Sequence, residues 1–185
     1  MNNILYSFLY AWAKLHGVLP MRILYILSDL FYIIIYKLVG YRLKVVRKNM
    51  KKSFPDKSAE ELKKLEQEFY HHFCDYVVET LKLSHISLEE VQRRAYLSNP
   101  ELVDDLMEKG HTTFILLMGH YGNWEWFSAS SSRFKSARVY QIYRPLTNLA
   151  FDRLFVYLRT RFGSLGIKKN DTIRDIMKLK QDKTP

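Results

Sequence analysis

Within "GHYGNWE", His120 and Glu125 are the residue types that could share a proton-transfer task. An imidazole changes charge near neutral pH. A carboxylate bonded to one ring nitrogen fixes the tautomer and leaves the other nitrogen as a base. Such a base takes the proton of a substrate hydroxyl, which then attacks a thioester carbonyl. No enzyme nucleophile is needed for that step. The lone cysteine, Cys74, lies far away in sequence and reads as a small core residue, and it rules out an internal disulfide. The competing reading of His120 is a histidine satisfied by structure alone, and an H-x4-E spacing by itself does not decide between the two.

The spacing does constrain what must hold the pair. Five positions along one helix would turn Glu125 away from His120, so the histidine has to precede the helix. The run "HTTFILLMGH" reads as a buried strand bounded by turn formers. Gly119 and Gly122 then permit a sharp strand-to-helix turn and close approach by a ligand. Asn123 is placed to cap a helix opening at Trp124, and a carboxylate in its first turn suits the helix dipole. Ligand sites of α/β sheets lie beyond the carboxyl ends of strands, where His120 falls. Upstream, "NPELVDDLMEKG" predicts a short helix from Pro100 that Gly110 ends. Downstream, "ARVYQIY" reads as another strand. The helix–Gly–strand–helix order argues for an α/β fold.

Earlier in the chain, Ser58 and Glu61 form a capping box. Leu62, Leu65, Phe69, Phe73, Tyr76, Val77 and Thr80 follow at helical spacing, predicting an amphipathic helix to about Leu83. Ser87 and Glu90 signal another helix start. The "YHHFCD" stretch sets His72 one turn after Glu68 and Asp75 one turn after His71. No third ligand is evident there, so no metal site is expected.

The 185 residues suffice for one domain with a real core, and 48% hydrophobic content excludes disorder as the overall state. Net charge is +10, which calls for an acidic partner. Residues 4–15 are apolar and aromatic, and residues 22–39 form the longest apolar segment, interrupted by Asp29. That interruption disfavours a clean transmembrane span but leaves spanning and interfacial arrangements both open. The following "YRLKVVRKNMKK" carries Arg42, Lys44, Arg47, Lys48, Lys51 and Lys52 and no acid, the pattern of a headgroup-facing cytoplasmic collar. Nothing beyond charge supports nucleic-acid binding, and none is expected. We divide the chain into a membrane-associated helical segment, 1–52, and a second region, 53–185.

"GHYGNWE" resembles the H-x4-D/E signature of the lysophospholipid acyltransferase superfamily. It is closest to the H-x-G-N-W-E of the lipid A biosynthesis (lauroyl/myristoyl) acyltransferases. "VVRKNMKKSFPDKSAEE" and "YRPLTNLAFDRLFVYLRTRFG" resemble two further blocks of that branch. The resemblance runs from about Arg22 to Arg174. It implies a glycerolphosphate-acyltransferase-like sheet flanked by helices, held at the cytoplasmic face of a bacterial inner membrane. It implies transfer of a fatty acyl chain from acyl carrier protein, or from CoA, to a hydroxyl of an anionic glycolipid, a lipid A precursor. No cofactor and no metal are implied.

By the same resemblance His120 is the base and Glu125 its orienting partner. Gly122 and Asn123 help position the thioester, and Arg144, Asn148, Arg153 and Arg159 contact substrate. A guanidinium at Arg144 suits a phosphate or a sugar acid. Members of the family extend further, through another strand and an Asp-Gln motif. The resemblance therefore implies that this chain is an N-terminal portion. A non-catalytic membrane-binding remnant, or transfer to another lysolipid or aminolipid, are the rival expectations.

Overall fold

The structure, a computed structural model, describes residues 2–134 and 137–181. It is mostly helical with one pair of parallel strands, consistent with α/β. Two compact units divide the chain. One comprises the chain through Val18 together with Lys82 onward, and the other is Leu19–Leu81.

The first unit begins with α1 (Asn2–Val18) and continues through α5 (Leu88–Arg94), α6 (Glu101–Glu108) and a 3-10 segment, Trp124–Arg133. A β-α-β unit follows: β1 (Tyr140–Tyr143), α7 (Leu149–Thr160) and β2 (Leu165–Lys168). The strands run parallel, with Tyr140 opposite Leu165 and Tyr143 opposite Lys168. Parallel strands require a crossover, and α7 supplies it. A second 3-10 turn, Lys169–Asp171, leads into α8 (Thr172–Gln181).

Local signals behave as their chemistry dictates. Ser87 accepts from the Glu90 amide at 3.1 Å and opens α5. Gly110 takes φ +89° after α6, the left-handed conformation that stops a helix without a Cβ penalty. Asn148 caps α7, accepting from the amides of Ala150 and Phe151. Helix α1 packs on α7, where Tyr10 meets Tyr157 edge-on with centroids 4.9 Å apart. At the end of α1, Lys82 donates to the Gly17 carbonyl at 2.7 Å and Ser84 to the Ala13 carbonyl at 2.6 Å. Burial pushes the Lys82 ammonium below its ordinary pKa. The opposite stripe of α1 (Ile4, Phe8, Ala11, Leu15 and Val18) stays exposed.

The expected buried strand at 112–118 is corrected. Residues 111–119 form no strand, and Ile115 and Leu117 are 84% and 89% exposed. A strand exists through its ladder partner, which must satisfy its N–H and C=O groups. Among the described residues the one ladder is β1–β2, and the apolar run has no pairing in it.

In the second unit, α2 (Met21–Tyr32) runs on as a π-helical segment, Ile33–Val39, which Gly40 ends at φ +65°. Met21, Leu24, Ser28 and Tyr32 face inward, while Ile23, Ile26, Leu30, Ile33 and Ile34 stay exposed on the opposite side. No single helix among the described residues is long and apolar enough to cross a membrane. The chain then bends by 97° into α3 (Leu43–Ser53), which carries the basic run.

Helix α4 (Ala59–Lys82) opens on the predicted box, Ser58 and Glu61 exchanging bonds of 2.8 and 3.2 Å. Its most buried face is Glu66, Tyr70, Cys74 and Val78, so the expected stripe is rotated and Phe69 is left 40% exposed. Tyr32, Tyr36, Tyr70 and Cys74 form the core of this unit. Burial pushes the Cys74 thiol up to about 11, so it remains an inert packing group. His71 stacks on Tyr32, centroids 3.6 Å apart.

Candidate active site

His120 is exposed at the end of the irregular 111–119 stretch. Its ring meets Trp124 edge to face, centroids 4.7 Å apart. Between them Gly122 adopts φ +58°, so the turn uses the conformational freedom that the second glycine provides. The following element is a 3-10 helix rather than an α-helix, and Asn123 precedes it without a side-chain capping bond. The sequence places the helix start correctly and its geometry and cap incorrectly. Ser131 and Ser132 favour the tighter winding, since their hydroxyls bond backbone carbonyls instead of extending the α pattern. Ser132 donates to the Ala129 carbonyl at 2.7 Å, and Ser131 to the Phe162 carbonyl at 2.7 Å.

Glu125 lies on the inner face of that segment, 4% exposed. Arg159, in the last turn of α7, grips it with both prongs. Nε donates to Oε2 at 2.7 Å and Nη2 to Oε1 at 2.6 Å. The guanidinium also lies 5.2 Å from the Phe155 ring centroid and 5.9 Å from that of Tyr143. This two-pronged pairing is the feature that sequence reasoning missed. Its one local trace is an arginine inside the amphipathic "FDRLFVYLRTRFG" block, at a position that faces the unit rather than solvent. A carboxylate offers about four lone-pair sites, and a bidentate arginine occupies two of them.

The other predicted residues divide by their present employment. Arg153 donates to the Asn3 side chain at 2.8 Å, and its guanidinium lies 4.1 Å from the Tyr6 ring centroid, tying α7 to α1. Asn148 spends its side-chain oxygen on the cap of α7. Arg161, which is not among the expected substrate contacts, donates to the carbonyls of Leu83 and Ile86 at 2.5 and 2.7 Å. Arg144 is exposed just past β1, and among the described residues it makes no hydrogen bond or ion pair. The structure thus joins Glu125 to Arg159 and leaves His120 four residues ahead of the 3-10 segment, against Trp124. It does not gather Asn148 and Arg153 into that cluster.

An exposed imidazole, whose ring leans on Trp124, suits proton abstraction from a hydroxyl, the first step of acyl transfer, while the nearby-in-sequence Glu125 is engaged by Arg159. Residues 2–184 match the model of the bacterial lipid A biosynthesis acyltransferases, and the chain belongs to that family. Comparison with curated proteins and with solved structures returned no match.

Proposed function

We propose that this chain is a membrane-associated acyltransferase that moves a fatty acyl group from an acyl-carrier-protein thioester to a hydroxyl of a lipid A precursor. It works at the cytoplasmic face of the inner membrane. Family membership supports acyl transfer as the class of reaction. The observation that carries the residue assignment is the exposed His120 against Trp124, five residues before a Glu125 clamped by Arg159.

In this reading His120 takes the hydroxyl proton as the oxygen attacks the thioester carbonyl. The tetrahedral intermediate collapses, the C–S bond breaks, and the imidazolium returns the proton to the departing thiolate. Glu125 accepts a hydrogen bond from the other ring nitrogen and stabilises the imidazolium. Arg159 keeps that carboxylate in register and leaves it acceptor-only toward the ring. Gly122 and Asn123 line the approach of the thioester, and Arg144 has a free guanidinium for a phosphate. The exposed apolar stripes of α1 and α2 and the basic face of α3 support membrane association. Acyl carrier protein and phosphorylated glycolipid are both anionic partners for a chain of net charge +10.

The test is direct. Purified protein in non-ionic detergent is incubated with an acyl-carrier-protein thioester and a phosphorylated disaccharide lipid, and products are weighed by mass spectrometry. One added acyl group, lost in His120→Ala, is the expected result. Undiminished transfer by His120→Ala overturns the assignment. Vesicle flotation of the same protein tests membrane association separately.

A further inference from the structure

In the Leu19–Leu81 unit, the turn at Tyr41–Arg42, α3 and α4 enclose a groove of about 240 Å³. Tyr41, Val45, Val46, Phe69, Tyr70 and Phe73 make its walls, and Arg42 and Asn49 supply its polar groups. No acid lines it. We propose that this groove seats the headgroup and first acyl carbons of an anionic phospholipid, with the Arg42 guanidinium on the phosphate. The inference rests on the membrane association proposed above and is independent of acyl transfer.

Charge bookkeeping on α3 motivates the assignment. Glu66 is 2% exposed on α4 and draws Arg47 inward through bonds of 2.6 and 3.1 Å. Lys63 and the Tyr36 hydroxyl complete its shell, each at 2.8 Å. That network pins α3 against α4 and uses up one of the six basic side chains of the collar. Arg42 is left exposed at the groove; its carbonyl accepts from the Val45 and Val46 amides, but its guanidinium makes no hydrogen bond or ion pair among the described residues. A free guanidinium over an aromatic, acid-free wall is complementary to an anionic amphiphile.

Three further observations agree. Arg42 stands at φ 55°, ψ 21°, a left-handed conformation that non-glycine residues rarely adopt. The packing around it therefore holds the residue in place. The groove is also smaller than the roughly 300–1,000 Å³ of sites that enclose a drug-sized ligand. It admits part of a lipid, with the tails left outside. The 97° bend sets the exposed apolar stripe of α2 and its π extension about perpendicular to α3. An apolar arm in the acyl layer then leaves the basic arm along the headgroups, with the groove at phosphate depth.

The whole chain is reconstituted in nanodiscs of phosphatidylcholine with a minority of phosphatidylglycerol, and retained lipid is read by native mass spectrometry. We expect one phosphatidylglycerol to be retained. Retention falls at least tenfold in Arg42→Gln and in Val45→Trp, which fills the groove, and survives in Arg42→Lys. Asn49→Trp, one turn along α3, is the second filling variant, and circular dichroism checks the fold of each. The double change Lys51→Gln, Lys52→Gln removes more charge outside the groove and leaves retention intact. The proposal is overturned by equal retention of phosphatidylcholine, by indifference to both tryptophans, or by Lys51→Gln, Lys52→Gln acting as strongly as Arg42→Gln. Tight binding of a short RNA in place of lipid, weakened by Val45→Trp, also overturns it. Flotation lost altogether refutes membrane association itself, whereas flotation retained with no bound lipid refutes only the groove.

Discussion

Arg159 and Glu125 stand 34 positions apart and meet through two hydrogen bonds of 2.7 and 2.6 Å. The carboxylate is 4% exposed on its side chain and the guanidinium 23%. A residue of the 3-10 segment Trp124–Arg133 is therefore held by one in the last turn of α7.

Breaking that pair from the arginine side leaves a buried carboxylate without its main partner. Arg159→Ala is expected to cost about 3 kcal/mol of stability. Arg159→Lys keeps the charge but loses the fork, and should fall between Ala and the native residue. A double-mutant cycle with Glu125→Gln, followed by urea unfolding, measures the coupling. Transfer by Arg159→Lys tests the positioning role further, through a fall in kcat with little change in KM.

His120 contributes little packing, because its ring is exposed and leans only on Trp124. His120→Ala should change stability by no more than about 0.5 kcal/mol. Loss of a general base slows the chemical step by about 10²–10⁴. Calorimetry beside the transfer assay separates the two effects, and a large loss of stability would mean that the ring is structural.

Glu66 sets an acid limit for the Leu19–Leu81 unit. The Arg47 fork, aided by Lys63 and the Tyr36 hydroxyl, outweighs burial and holds its carboxyl at about 2, down from 4.5. A depressed carboxylate stabilises the fold above its unfolded pKa. That contribution is complete above about pH 4.5 and is lost as pH falls through about 2. Arg47 and Lys63 are each about half exposed, which screens the pairs, so we expect about 2 kcal/mol. Glu66→Gln should flatten the stability profile across that window, as followed by tyrosine fluorescence.

Gly17 lets α1 close on the turn after α4. A Cβ there would sit 2.6 Å from the His85 Cβ and would also strike the Ser84 hydroxyl. Gly17→Ala is expected to destabilise by about 1–3 kcal/mol through overpacking, despite the better helix propensity of alanine. Hydrogen exchange should show the loss concentrated in α1 and the Lys82–Ile86 turn.

The amino-acid sequence by itself determined what neighbours along the chain can settle. The Ser58–Glu61 box, the Ser87 cap, the Gly110 stop and the start of a helix at Trp124 all follow from contacts within a few residues. The histidine motif and its family are likewise a matter of local spelling. Three features waited for the tertiary structure. Glu125 found Arg159, Glu66 drew Arg47 out of the basic collar, and the apolar run at 112–118 remained unpaired. Each depends on which distant group arrives opposite. A buried charge needs a counter-charge and a strand needs a ladder partner, and neither requirement is met by residues adjacent in the chain.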